Sequence, residues 1–390
     1  MNLHKKTNVL IISHFSFKPD EKSDVFPQNI RDFLIKKINN VTYLDHPFPD
    51  ATKFPASQIR IYNKSGKTFQ LTTPKIMLPI LLLYAYQFFL STFLPLIRPM
   101  RYDLCIACDN LSLISVYFLR KLGLIEKLVY YTIDYTPQRY NNYFLNWLYH
   151  SLDRLSSRIS DTNWVAVENM IDAKIKNGLK TQESSPFQVV PMGFRTENIA
   201  IKPVENVDRF HLVFVGLLFE KQGLQLVLKA LPALIRKFPK IHLTVIGSGP
   251  YEATLKLLVK HQRISSYVTF TGLISNHRDI ITFLTKNAGV GLATYNPSTG
   301  DYTYNADPSK IKLYLLCGLP IITTKVPPIA EKIKDKKAGI TIDYSTDNLI
   351  YGIETILNKK ETYKIYRKNA LIMGRSYDIS KILETAFSKL

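Results

Sequence analysis

The chain is poor in cysteine, tryptophan and acid. Three cysteines in 390 residues, Cys105, Cys108 and Cys317, cannot build a disulfide framework. Two of them form a Cys-x-x-Cys, but it lies inside the apolar run Leu104-Cys-Ile-Ala-Cys108. No second pair or histidine cluster completes a metal set. They read as buried strand residues of a cytoplasmic protein kept reduced. A phosphate-loop motif, a nucleophile elbow and a His-Glu zinc array are also missing, which excludes the commonest NTPase, serine-hydrolase and zinc-protease designs. Lys5-Lys6 is followed only by the short apolar run Val9–Ile12 and then His14, which is not the pattern of a secretory leader.

Acidic residues number 31 against 51 lysines and arginines, a net charge of +20. The excess favours an anionic partner: a membrane surface, a phosphorylated substrate or a nucleic acid. Basic residues are spread along the whole chain and no basic-aromatic recognition module stands out, so no nucleic-acid partner is expected. The longest uncharged stretch, Ile76–Ile97 between Lys75 and Arg98, is long enough to span a bilayer. Pro79 and Pro95 interrupt it, and Gln87 sits in its middle. If the strands on either side, Val9–Ile12 and Leu104–Ala107, share one sheet, a single crossing would place them on opposite sides of the membrane. The expectation is a helix lying on a membrane interface or buried, in a protein that is soluble or peripheral on the inner face of the membrane.

What is present is an alternation of short apolar runs with helical stretches. Asn8–Ser13, Leu104–Ala107, Leu128–Thr132 and Val165–Val167 are uniformly apolar, as in parallel strands covered on both faces. A polar stretch, Arg195–Arg209, reads as a linker. A second series follows: His211–Gly216, His242–Gly247, Val268–Gly272, Val290–Ala293 and Pro320–Thr323. The fold class expected is α/β, with two doubly wound Rossmann-like domains facing across a cleft. The domains expected are residues 1–203 and 204–376, and ligands should lie beyond the carboxyl ends of the strands.

Asp307-Pro308-Ser309-Lys310-Ile-Lys312 reads as a helix start, with Asp307 as cap, Pro308 at the first helical position and Gly318 at the end. Free amides and the positive end of the dipole favour an anion there. Lys310 and Lys312 oppose that dipole, a penalty that a bound diphosphate would remove; the alternative is that both are simply solvated. Lys221-Gln-Gly223 follows the first strand of the second series, and Gly247-Ser-Gly249-Pro250 follows the next; both let backbone approach a ligand.

In order and spacing these segments resemble the C-terminal domain of GT-B-fold glycosyltransferases, the family 4 or "group 1" retaining enzymes. The likeness runs from Phe210 to Ser376. It is looser over Val9–Gly193, where Tyr130-Tyr-Thr-Ile-Asp134-Tyr-Thr-Pro137 stands out. It implies transfer of a sugar from a nucleotide diphosphate sugar to a hydroxyl of a glycan or lipid-linked precursor, without metal or other cofactor. It implies Lys310 and Asp134 as catalytic residues, and a donor site of Gly216, Lys221, Gly223, Gly247, Gly249, Asp307, Pro308, Ser309 and Lys312. His14 and Asp24 fall on the acceptor side. The segment from 377 to 390 looks like the family's last helix, which returns to the N-terminal domain. Three positions depart from the family pattern: Leu217 replaces an arginine, and Asn305 and Leu313 replace a pair of glutamates, the second of which holds the donor ribose. That loss motivates a second reading, a non-catalytic sugar-nucleotide-binding or scaffold protein on the same fold.

Overall fold

The structure is a computed structural model that describes residues 4–14, 26–47, 56–76, 78–196, 199–274, 276–299 and 301–390. Asp24 lies outside the described residues. Two compact units form, Met1–Met192 with Ser380–Leu390, and Gly193–Ile379. The polar stretch expected as a linker with a break at 203 belongs to the second unit. Phe194 bridges Asp378, Thr196 bonds the Asp378 carboxylate, and Arg367 donates to the Lys202 carbonyl at 2.9 Å.

Among the described residues unit 1 carries eight strands: β1 (Asn8–Ser13), β2 (Asn40–Asp45), β3 (Gln58–Asn63), β4 (Gly66–Thr72), β5 (Tyr102–Ala107), β6 (Ile125–Thr132), β7 (Thr162–Val165) and β8 (Phe187–Val189). Their order is β4-β3-β2-β1-β5-β6-β7-β8. Helices α1 (Phe26–Lys37), α2 (Ile80–Phe93), α3 (Asn110–Lys121), α4 (Tyr143–Ile159) and α5 (Asn169–Lys176) lie between them. The uniformly apolar runs are the parallel strands, and Val9 to Ile12 are fully buried. β3 and β4 are an antiparallel hairpin at the edge, turning at Gly66 with φ 123°. Cys105 and Cys108 are buried free thiols on and just after β5, and burial raises both. Because β1 pairs with β5 from Val9–Leu104 to Ile12–Ala107, the intervening uncharged segment leaves and rejoins one sheet, so it does not cross a bilayer once. The segment from Ile80 to Ile97 is nonetheless apolar and long enough to do so by composition.

Unit 2 is wholly parallel. β9 (His211–Val215), β10 (His242–Ile246), β11 (Val268–Gly272), β12 (Val290–Ala293), β13 (Ile321–Thr324) and β14 (Gly339–Ile342) are ordered β11-β10-β9-β12-β13-β14. They are connected by α6 (Leu224–Lys237), α7 (Glu252–His261), α8 (His277–Asn287), α9 (Ser309–Leu316) and α10 (Ile329–Asp335). After β14 come α11 (Thr346–Leu357) and α12 (Lys360–Arg375). A final helix, α13 (Ile379–Ser388), takes the chain back to unit 1. There the Phe387 ring meets Phe33 and Trp164 at 5.8 and 5.5 Å.

The start of α9 differs from the sequence reading. Pro308 occupies the cap position without a side-chain bond, and Asp307 precedes it. The Asp307 carboxylate turns instead to the Lys312 ammonium, and both side chains are almost fully buried, at 3% and 1% exposure. A lysine in that position cannot be solvated, so the core supplies its counter-ion. Asp307 and Lys312 are therefore a buried ion pair beside the Tyr377 ring, not a pair of donor ligands. The other end follows the expected grammar. Gly318 (φ 73°) donates to the Leu315 carbonyl and Leu319 to the Tyr314 carbonyl, a Schellman close.

Removing one partner of such a pair leaves an uncompensated buried charge, at a cost of about 3–5 kcal/mol. Asp307→Asn should therefore lower unfolding free energy by about 3 kcal/mol in urea titrations at neutral pH. Burial holds Lys312 below its ordinary range, and Asp307 opposes that shift. Without Asp307 the folded state binds fewer protons than the unfolded state over a wider range, so the deficit should shrink as pH rises toward 10.

Candidate functional site

In an open parallel sheet, ligands bind where the strand order reverses, because the connections there leave in opposite directions and open a crevice at the carboxyl ends. Each unit has one such point. In unit 1 it lies between β1 and β5, and in unit 2 between β9 and β12.

In unit 2, β9 and β12 pair only at Leu212–Val290 and Val213–Gly291. Beyond that they part, and the Tyr314 ring of α9 fills the gap. Its hydroxyl accepts from the Val215 amide at 2.7 Å, satisfying a donor that the ladder no longer serves. A Cβ on Gly291 would meet that ring at 2.5 Å. Lys310 stands one helical turn before Tyr314, so the wedge also sets where its ammonium lies.

That ammonium lies 4.0 Å from the centre of the Phe214 ring and 5.3 Å from that of Tyr295, at the ends of β9 and β12. It donates to Gln222 Oε1 at 2.6 Å, and a Cβ on Gly216 would approach it to 3.0 Å. Desolvation, with no carboxylate among the described residues to offset it, pushes Lys310 down to about 7. Around it the backbone is drawn in as far as it can go. A Cβ on Gly223 (φ 74°) would lie 1.6 Å from the Thr294 carbonyl oxygen, and one on Gly247 1.9 Å from that of Gly216. A Cβ on Gly249 would lie 2.5 Å from the Leu218 carbonyl oxygen. The Lys221 carbonyl accepts from the Asn296 amide at 3.0 Å, tying this loop to the end of β12, while its ammonium lies 5.4 Å from the Phe219 ring. Ser309 and the half-buried Pro308 open α9 beside Lys310.

The structure thus brings together Gly216, Lys221, Gly223, Lys310 and the start of α9, with Gly247 and Gly249 supporting them. It takes Asp307 and Lys312 away into the core. Gln222, Tyr295 and Tyr314 were not foreseen. Gln222 was legible only as the middle of Lys-Gln-Gly, and Tyr314 as one apolar position on a helix. Of the departures, Leu217 is 57% exposed at the rim, whereas Leu313 is buried in the core.

At the switch point of unit 1, His14 follows β1 and is 7% exposed. Its Nδ1–H donates to Asp109 Oδ2 at 2.7 Å. Asp109 is itself fixed as the cap of α3, accepting from the Ser112 amide at 2.8 Å and the Ser112 hydroxyl at 2.7 Å. Burial alone would raise the Asp109 carboxyl, but His14 and the Ser112 bonds hold it down at about 2. With Nδ1 committed to a carboxylate, Nε2 is left as the acceptor, and it has no hydrogen-bond partner among the described residues. His46 stacks beside it at 4.8 Å, bonded on both nitrogens to Ser57 and Ser91 and kept neutral by burial. Asp134 follows β6 on the same edge, exposed and 3.9 Å from Arg139. Asp109 is the partner that sequence reasoning missed; its only signal was a cap residue three before Ser112.

Comparison with known proteins bears on the fold and on the second unit. Residues 195–372 match the family "Glycosyl transferases group 1". An uncharacterized glycosyltransferase of Haemophilus influenzae is 25% identical over 179 residues, covering 44% of this chain and 46% of that protein. A GDP-mannose-dependent alpha-(1-6)-phosphatidylinositol monomannoside mannosyltransferase of Mycolicibacterium smegmatis is 24% identical over 41% of this chain and 44% of its own. The match thus spans under half the length of these curated relatives. Among solved structures, Anabaena Alr3699/HepE in complex with UDP superposes over 98% of this chain and 100% of its own, with a TM-score of 0.68 at 15% identity. Over its second unit the chain is thus similar to the group 1 glycosyltransferases, and its fold is the GT-B fold.

Proposed function

We propose that the protein transfers a sugar from a nucleoside diphosphate sugar, bound at the switch point of unit 2, to a hydroxyl of a glycan or lipid-linked acceptor. The observation that carries this reading is the Lys310 ammonium, desolvated, with no carboxylate partner among the described residues, and lying against Gly216, where no side chain intervenes. The charge facing the diphosphate comes from Lys310, Lys221 and the first amides of α9, without a metal. As the bond between the anomeric carbon and the β-phosphate oxygen breaks, its electron pair goes to that oxygen, and a preorganised cation there lowers the barrier. The acceptor oxygen bonds to the anomeric carbon. In the retaining course that the family resemblance implies, the acceptor proton passes to the departing phosphate oxygen. The family resemblance assigns two residues of unit 1, His14 to the acceptor side and Asp134 to the transferred sugar or the acceptor. Three buried free thiols favour a cytoplasmic setting. Supporting the reading, one curated relative is named for use of GDP-mannose, and one structural neighbour holds UDP.

Two measurements test it. Calorimetry against UDP, GDP and their hexose conjugates should find one nucleotide family bound by the wild type. Lys310→Ala should lose most of that affinity and at least about 100-fold in turnover. Only the protonated lysine attracts phosphate, and binding raises its pKa again. Wild-type affinity should therefore fall as pH rises above about 7, with proton uptake on binding, and the profile of Lys310→Ala should be flat. A well-folded wild type that binds no donor would favour the non-catalytic reading instead.

For the acceptor side, His14→Ala should raise the acceptor KM by about 10-fold while leaving donor affinity unchanged. Asp109→Asn should act in the same direction by releasing the tautomer. A donor-affinity loss in His14→Ala would place His14 elsewhere in the reaction.

A further inference from the structure

Helix α2 is built inside out. Its polar residues are the ones turned into unit 1. Gln87 donates to the Pro47 carbonyl at 2.9 Å, Ser91 bonds His46 at 2.8 Å, and Thr92 donates to the Ser115 carbonyl of α3 at 2.9 Å. Its outward stripe is apolar: Leu82, Phe89 and Phe93 are 57–58% exposed at helical spacing, and Ile97 follows in the next turn. A helix on the surface of a soluble protein has the opposite polarity, because burying apolar rather than polar groups is what folding gains from. Three hydrogen bonds from buried polar side chains hold this face outward, so the orientation is specified.

The stripe continues beyond α2. Tyr84, in its first full turn, lies against Tyr140, just ahead of α4. At the start of α4, Tyr143, Phe144 and Trp147 are 88, 62 and 51% exposed, and the last two rings stack at 5.8 Å. Exposed basic residues flank the apolar helix at both ends, Lys75 before it and Arg98 and Arg101 after it. Exposed Lys121 stands at the end of α3, which packs beside α2 and adds exposed Phe118. An apolar stripe, aromatic rings at one end and cations at the rim match the layers of a bilayer interface: acyl chains, the polar boundary and anionic headgroups.

We infer that unit 1 docks on an anionic lipid surface, with α2 lying in the interface by its Leu82–Phe89–Phe93 stripe and the aromatic start of α4 beside it. The inference deepens the transferase reading by naming the surface from which a lipid-linked acceptor would be presented, but it stands on unit 1 alone. A protein surface would not need the cations at the rim, and a second copy of this chain, equally basic, would oppose them.

The test uses the full chain with vesicles of phosphatidylcholine, with and without phosphatidylglycerol. Wild-type protein should co-sediment with the anionic vesicles, less so as salt rises. Its fluorescence should shift to the blue, a signal assignable to Trp147 because the only other tryptophan, Trp164, is fully buried. Phe89→Gln with Phe93→Gln should reduce bound protein at least about 10-fold, with an unchanged melting temperature and unchanged nucleoside diphosphate affinity. Equal vesicle binding by wild type and variant overturns the assignment. So does a wild type that ignores vesicles, including one that forms a dimer which the double substitution dissolves. Donor binding without vesicle binding refutes only the docking surface, and vesicle binding without donor binding refutes only the transferase reading.

Discussion

The arrangement of unit 2 depends on one side chain at the point where its sheet divides. Two parallel strands that separate leave backbone amides without partners, and in a sheet buried on both faces each orphan costs free energy on the order of 1–3 kcal/mol. Tyr314 resolves this by reaching into the gap and accepting from Val215, while Gly291 clears room for its ring. Since Tyr314 is fully buried, its helix has no freedom to rotate. The position of Lys310, one turn earlier, follows from that anchor. A flexible lysine thereby becomes a fixed charge, which is the condition for electrostatic stabilisation of a leaving group without reorganisation.

The two switch points use the same topology for different chemistry. In unit 2 the crevice is lined by backbone, because glycines at 216, 223, 247 and 249 let one loop press against the carbonyls of another. Such a wall cannot hold a hydrogen-bonded side-chain network, and the desolvated charge there, Lys310, comes from a helix. In unit 1 the crevice is lined by side chains, with an imidazole locked by a carboxylate that also caps the next helix. Backbone and a desolvated cation suit a diphosphate, which needs charge and close approach. An imidazole with one nitrogen fixed suits a neutral hydroxyl, which needs an acceptor pointing one way. The buried pair of Lys174 and Asp153 in unit 1, and that of Lys312 and Asp307 in unit 2, show what becomes of lysines whose carboxylates are within reach. Lys310 has none among the described residues, and desolvation lowers it unopposed.

Much of the fold was legible because parallel strands covered on both faces are read from composition alone, and Val9–Ile12, Leu104–Ala107 and the unit 2 runs needed no context. The hairpin of β3 and β4 went unread: it is half exposed, and its alternation is broken by Arg60, which is buried against Asp45. The site was legible where backbone conformation demanded glycine or where a helix had to begin, hence Gly216, Gly223 and Lys310. It was not legible where a side chain's role depends on what lies across a gap. Nothing in the spacing of Asp307 and Lys312 distinguishes a ligand pair from a core ion pair, because the decision rests on burial. Gln222, Tyr314 and Asp109 take their roles from residues 88, 99 and 95 positions away in sequence. The uncharged segment around α2 makes the same point from the opposite side. Hydropathy counts residues without direction, whereas Gln87, Ser91 and Thr92 face inward and Phe89 and Phe93 outward. An average over such a helix is apolar whichever face is buried, and only its hydrogen bonds tell which way it turns.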